Sequence, residues 1–170
     1  MKRKNPPSKK AELDLQVKSE WPEVGRVNEA VASFLESCRL TPDAVAQYTM
    51  VVCELVENGI KYGYFPSGRS VVRVLVKVAR GTISVQVINP VGESSQAYLA
   101  ELDRTIQWVR GFQAPFEAYI ARMKAISREP IDNDKSGLGL VRITYEGRAV
   151  LDFFLDENDT LSVSAVSDIA

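Results

Sequence analysis

Two short stretches of this 170-residue chain hold side chains whose types and spacing suit work on a phosphorylated ligand. The first reads Glu54-Leu55-Val56-Glu57-Asn58-Gly59-Ile60-Lys61-Tyr62-Gly63-Tyr64. In a helix, Glu54 and Asn58 are one turn apart on one face, and Lys61 continues the stripe. The amide oxygen of Asn58 is a hard donor suited to Mg²⁺. The carboxylate of Glu54 can orient or deprotonate a hydroxyl nucleophile beside a phosphate. The same spacing also suits a solvated helix face. The second stretch is Lys135-Ser136-Gly137-Leu138-Gly139-Leu140. Its glycines let backbone amides approach an anion closely, and a helix starting there adds free N–H groups and the positive dipole end. Lys135 adds a point charge. A glycine-bearing turn from loop to helix is the plainer alternative.

The elements that must position these residues can be read from periodicity. Residues 1–11 are basic and carry little to bury, which predicts a disordered arm. Glu12–Lys18 alternates as a half-buried strand, with Leu13, Leu15 and Val17 on one side. Val24, Val27, Val31, Phe34 and Leu35 mark a helix over Glu23–Cys38. Thr41 then reads as an N-cap, with Pro42 at the first helical position, and this second helix should run to about Tyr62 before Gly63, Pro66 and Gly68. Ser70–Val78 and Thr82–Ile88 around Arg80-Gly81 predict a hairpin, with Asn89-Pro90 breaking the pairing.

Gln96–Ser127 is helical in pattern, and Gly111 and Pro115 should split it in two. Residues 128–136 read as a polar loop. A short helix from Gly137 to about Tyr145, then strands over Arg148–Leu155 and Thr160–Val166, complete the order β α α β β, helical insert, α β β. The simplest packing is an α+β two-layer α/β sandwich with a mixed, mostly antiparallel sheet and helices on one face. Residues 12–170 then form one domain, with a lid-like helical insert at about 94–135.

Bulk properties narrow the function classes. Hydrophobic residues make up 45% and charged residues 25%, as in an ordinary globular protein. A formal net charge of -1 gives no global pull toward nucleic acid or an anionic membrane. The chain has no histidine, so histidine catalysis and self-phosphorylation on histidine are excluded, and two cysteines alone make a poor zinc site. Cys38 and Cys53 read as buried thiols rather than a disulfide. No run approaches the length of a membrane span and no signal peptide is visible, so the cytoplasm is the expected compartment.

The stretch from Glu54 to Gly63 resembles the N box of the histidine-kinase-like (GHKL, Bergerat-fold) ATPases, in the version found in anti-sigma-factor serine/threonine kinases. Ser136-Gly137-Leu138-Gly139-Leu140 resembles the later glycine box of the same superfamily. The resemblance implies a Bergerat ATP-binding fold that holds ATP between the second helix and the glycine box. It implies that Asn58 binds Mg²⁺, that Glu54 acts as base or orients water, and that the backbone of Gly137, Leu138 and Gly139 holds phosphates, with Lys61, Lys135, Ser136 and Leu140 nearby. It further implies phosphorylation of a small STAS-like antagonist, contact with a sigma factor in a partner-switching circuit, and possible homodimerisation.

The chain departs from the pattern in three places. Asn89 stands where the family has an adenine-binding Asp, and only a displaced Gly92 remains of the first glycine box. An amide oxygen can still accept from an adenine amino group, while Asn89-Pro90 equally suits a turn. Tyr62 replaces the family histidine. The segment between Asn89 and Gly137 is longer and more helical than the usual lid, with a stripe of Trp108, Phe112, Phe116, Tyr119 and Met123 that suits core or a partner surface. Two functions follow: a Mg·ATP-dependent serine/threonine kinase acting on a small regulatory protein, or a weakly binding or nucleotide-free module that sequesters a partner on the same fold. An ATP hydrolase with a second transducer domain would need a longer chain.

Overall fold

The computed structural model describes residues 10–66, 71–128 and 138–169. The chain forms a two-layer α/β sandwich. Five strands lie in the order β1 (Ala11–Lys18), β2 (Val71–Ala79), β3 (Thr82–Pro90), β5 (Thr160–Asp168), β4 (Val150–Leu155). Every ladder among them is antiparallel, the limiting case of the mixed, mostly antiparallel sheet that the pattern implies.

Register explains why one face is covered. Leu15, Val74, Val87 and Val163 line up across four strands, and Leu13, Val76, Val85 and Ala165 form the next row. From β2 through β5 these side chains are almost wholly buried. The opposite face carries Asp14, Arg73, Lys77, Ser84, Gln86 and Ser164, the other half of a period-two pattern. There Arg73 binds both oxygens of Asp14, at 3.0 and 2.7 Å.

Helices α1 (Pro22–Ser37) and α2 (Pro42–Tyr62) cover the apolar face. Val27, Val31 and Leu35 of α1 are fully buried, each contributing roughly 1.5–3 kcal/mol of transfer free energy. Helix α2 starts as its residues dictate: the Thr41 hydroxyl accepts from the Ala44 amide at 3.3 Å, Pro42 follows and Asp43 sits in the first turn. Gly59 brings the helix close to the sheet. A methyl group there would lie 3.1 Å from Asn89 Oδ1 and 3.3 Å from Val87 Cγ1.

The insert begins with a single 3-10 turn, Glu93–Ser95, which the pattern did not indicate. It continues as α3 (Gln96–Arg110) and α4 (Pro115–Ile126), split at Gly111 and Pro115 as expected. Helix α5 (Leu138–Tyr145) leads into β4 and β5. Arg110 ties the insert to the sheet edge, donating to the Leu151 carbonyl at 3.0 Å and pairing with Asp152 at 3.5 Å.

Several boundaries differ from the sequence reading. The expected arm, residues 1–11, lies outside the described residues through residue 9, but Ala11 belongs to β1 and pairs with Val78. Asn89-Pro90 does not break the pairing. β3 continues to Pro90, opposite Thr160, because β2 has no residue paired with β3 beyond Ile88, so no β2 bond needs the missing N–H. β4 starts at Val150 rather than Arg148, whose φ of 48° turns the chain. Cys38 is buried, Cys53 is half-buried, and both thiols are free.

The aromatic stripe of the insert is not core. Trp108, Phe116 and Met123 are 38%, 50% and 43% exposed, whereas Leu102, Ile106 and Ala118 face inward. The helix is interrupted between Arg110 and Pro115, so positions 108–123 do not share one continuous helical face. Instead Trp108 meets Phe112 edge-on at 4.6 Å, and Phe116 and Tyr119 pack on Tyr145 of α5 at 5.2 and 5.0 Å.

Candidate functional site

The two chemistry-bearing stretches meet. Glu54 projects from the middle of α2 toward α5, and its Oε1 accepts from Arg142 Nη1 at 3.0 Å across 88 residues of sequence. Its other oxygen faces the glycine motif: a methyl group on Gly139 would lie 2.5 Å from Glu54 Oε2. Only a residue without Cβ leaves that carboxylate where it is. Arg142 also donates through Nε to Glu146 at 2.8 Å, so one guanidinium bridges two carboxylates with its directed N–H groups.

Helix α5 is bracketed against α2. Its buried side consists of Leu140, Val141, Ile143 and Thr144. Just beyond its end, the Gly147 carbonyl accepts from Gln47 of α2 at 2.9 Å and from Ser167 of β5 at 3.0 Å. Gln47 lies seven residues before Glu54, on the same stripe of α2. These bonds hold the far end of α5, while Gly139 places its first turn beside the Glu54 carboxylate.

Burial and the negative charge of Glu57 push the proton affinity of Glu54 above the ordinary carboxylate range. Arg142 opposes that shift through its charge and its hydrogen bond. A carboxylate with raised proton affinity, held by a cation, suits a group that accepts a proton from a hydroxyl.

Asn58 is half-buried one turn beyond Glu54. Lys61 is exposed, its Nζ 5.2 Å from the centroid of the Tyr62 ring. Leu138 and Gly139 are half-buried at the start of α5, and Leu140 is buried in the core, so its side chain serves packing. Lys135, Ser136 and Gly137 lie outside the described residues. Asn89 is 3% exposed at the end of β3, and its Nδ2 donates to the Pro90 carbonyl at 3.1 Å.

Beside Asn89 the end of α2 is clamped to the start of the insert. Ser95 Oγ donates to the Tyr62 carbonyl at 2.8 Å and accepts from the Gly92 amide at 3.1 Å. Tyr64 donates its amide to the Pro90 carbonyl at 2.9 Å. Tyr62 stacks face to face on Tyr98 of α3 at 4.0 Å. Burial holds the Tyr98 hydroxyl well above its ordinary proton affinity, so it stays neutral. Gly92 has a local packing reason: a methyl group there would meet the Tyr64 ring at 2.8 Å.

Sequence reasoning missed Arg142 and Tyr98. Arg142 follows Gly139 by three residues, close to one helical turn. That spacing is visible in the chain, but its partner on another helix is not. A separate cavity of about 460 Å³ opens between α1 and the first half of α2, lined by Asn28, Glu36 and Thr49 among others. Its lining includes neither Glu54 nor Asn58, so cavity volume does not locate the chemistry.

No family model and no curated protein matches this chain. Among solved structures, a chain of the SiaB-SiaC complex from Pseudomonas aeruginosa superposes with a TM-score of 0.63 at 19% identity. The match covers 92% of the present chain and 89% of the other. The sandwich thus recurs, over nearly its whole length, in a protein of little sequence similarity. No helix among the described residues is long and apolar enough to cross a membrane.

Proposed function

We propose that the protein is a cytoplasmic, Mg·ATP-dependent serine/threonine kinase of the anti-sigma-factor type, acting on a small STAS-like regulatory protein in a partner-switching circuit. The observation that carries this reading is the contact between Glu54 and Gly139, which joins the two stretches expected to share a phosphate site. A solved structure of similar fold comes from a two-protein complex, SiaB with SiaC, which supports a protein partner.

The residues present suit the ligand in kind. Gly139, lacking a side chain, lets the Glu54 carboxylate come close to the start of a helix, an end whose N–H groups attract anions. No group of three His, Cys, Asp or Glu stands ready for a metal among the described residues. Mg²⁺ keeps waters and phosphate oxygens as ligands and needs only a few protein donors. Asn58 would supply one of them. Bound Mg·ATP would bring the transferable phosphoryl group and its charge neutralisation. Glu54 would take the proton of the incoming serine or threonine hydroxyl, and the amides at the start of α5 would hold phosphate oxygens. Trp108, Phe116 and Met123, exposed on the insert, offer the aromatic and thioether surface on which protein partners anchor.

A second reading, a partner-sequestering module without catalysis, draws on the state of Asn89. Its side chain is almost wholly buried, and its Nδ2 is bonded to the carbonyl of the next residue. Substituting Glu54 separates the two. Purified protein is incubated with γ-labelled ATP, Mg²⁺ and a STAS-domain protein that it binds, and labelled serine or threonine is mapped by mass spectrometry. A kinase labels the partner and loses this with Glu54→Ala while keeping partner affinity. Partner binding without label, in wild type as in the variant, overturns the kinase reading.

A further inference from the structure

We infer that Arg142 is a positioning residue of the Glu54 site, clasping that carboxylate against Gly139 and coupling the placement of α5 to α2. Its catalytic consequence rests on the kinase reading above, but the clasp itself does not.

Three observations carry the inference. Arg142 reaches Glu54 from a different element, at 3.0 Å, and the Glu54 side chain is only 22% exposed. The second Glu54 oxygen is pressed toward the Gly139 backbone, so the pair fixes both ends of the carboxylate. The guanidinium is itself held through Nε by Glu146, four residues on and just past the end of α5. A planar fork engaged on two edges has little freedom to rotate, and whatever orients it orients Glu54. Lysine would keep the charge but could not reproduce both directed contacts.

The geometry also says what the clasp controls. α5 has eight residues, and its buried side chains point away from solvent toward the core. The half-exposed Arg142 is a polar link from this helix to α2 at the level of Glu54. Moving α5 relative to α2 therefore moves the glycine backbone and the carboxylate together, which keeps a phosphate-binding end and a base in register.

The test uses amide hydrogen exchange on the full, nucleotide-free protein in four forms: wild type, Arg142→Gln, Glu54→Gln and the double variant. Exchange in β2 and β3 reports whether each form is folded. Each single change should raise exchange across α5 about two- to fivefold, the size of one half-exposed ion pair. The double variant should go no further than the larger single, and Arg142→Lys should fall between Arg142→Gln and wild type. Unchanged α5 exchange in Arg142→Gln, or effects that multiply in the double variant, overturns the clasp. With a phosphorylatable partner, Arg142→Gln should lower kcat roughly tenfold or more while KM for ATP stays within about twofold, and Arg142→Lys should recover part of the rate. Raised exchange with unchanged kcat overturns the positioning role. If wild type transfers no phosphate at all, the kinase reading fails, and the exchange data still decide the clasp.

Discussion

Gly139→Ala should leave the protein folded and disable Glu54. The added methyl group would sit 2.5 Å from Glu54 Oε2. Carbon and oxygen come no nearer than about 3.3 Å in ordinary weak contacts, so the carboxylate must retreat by roughly 0.8 Å. It is the end of a flexible side chain, and retreat is open to it. The retreat strains the 3.0 Å contact with Arg142. Loss of a half-exposed pair costs at most about 1 kcal/mol. Replacing glycine by alanine near a helix start returns up to about 1 kcal/mol. The net should lie within about 1 kcal/mol of zero, a change in Tm of no more than about 4 °C for a domain of this size. Catalysis is far less forgiving, since a misplacement of about 1 Å can cost on the order of 100-fold. The assay pairs urea unfolding with phosphotransfer rates on the same preparations. Destabilisation by 3 kcal/mol or more would show that the carboxylate cannot retreat. A wild-type rate would show that Glu54 is not held against Gly139.

Other changes should be felt through packing and charge. Gly147→Ala drives a methyl group into the Ile143 carbonyl and to 2.5 Å from Val51 Cγ2, so neither neighbour can yield cheaply; urea unfolding should record a loss of about 2–3 kcal/mol. Leu35→Ala removes a fully buried side chain of α1 and should cost about 2–5 kcal/mol by the same measurement. Glu54→Gln tests the raised proton affinity: in its window the folded protein binds more protons than the unfolded chain, so the contribution of Glu54 to stability falls as pH rises. Wild type should therefore gain on Glu54→Gln between neutral pH and about pH 4, read from urea midpoints. Asp14→Asn should show the opposite sign: Arg73 holds Asp14 below its ordinary value, so its benefit is present at neutral pH and fades as the solution is acidified through the folded value.

Much of the scaffold is legible because local rules agree with the global packing. Thr41-Pro42-Asp43 announces α2 whatever surrounds it, and the helix begins there. Val72, Val74, Val76 and Val78 alternate because one sheet face is covered, and that alternation is visible in the chain. Gly111 and Pro115 mark the split in the insert. What escapes reading depends on neighbours far along the chain. Pro90 extends a strand because β2 stops pairing before it, a fact of register rather than of residue type. Trp108, Phe116 and Met123 have a spacing that suits a core on one continuous helix, yet the helix is interrupted between them and all three are exposed. At the site, Glu54 and Asn58 are legible as a stripe on one helix, whereas the Arg142 contact appears only once α5 is placed against α2.

Whether this fold carries a nucleotide site is tested most directly by calorimetric titration of the purified protein with ATP and Mg²⁺, with Asn58→Ala alongside. A nucleotide site built on Asn58 should give micromolar binding that requires Mg²⁺ and disappears in the variant. Absence of heat up to millimolar nucleotide, an affinity weaker than about -4 kcal/mol, would contradict it, as would wild-type binding by Asn58→Ala.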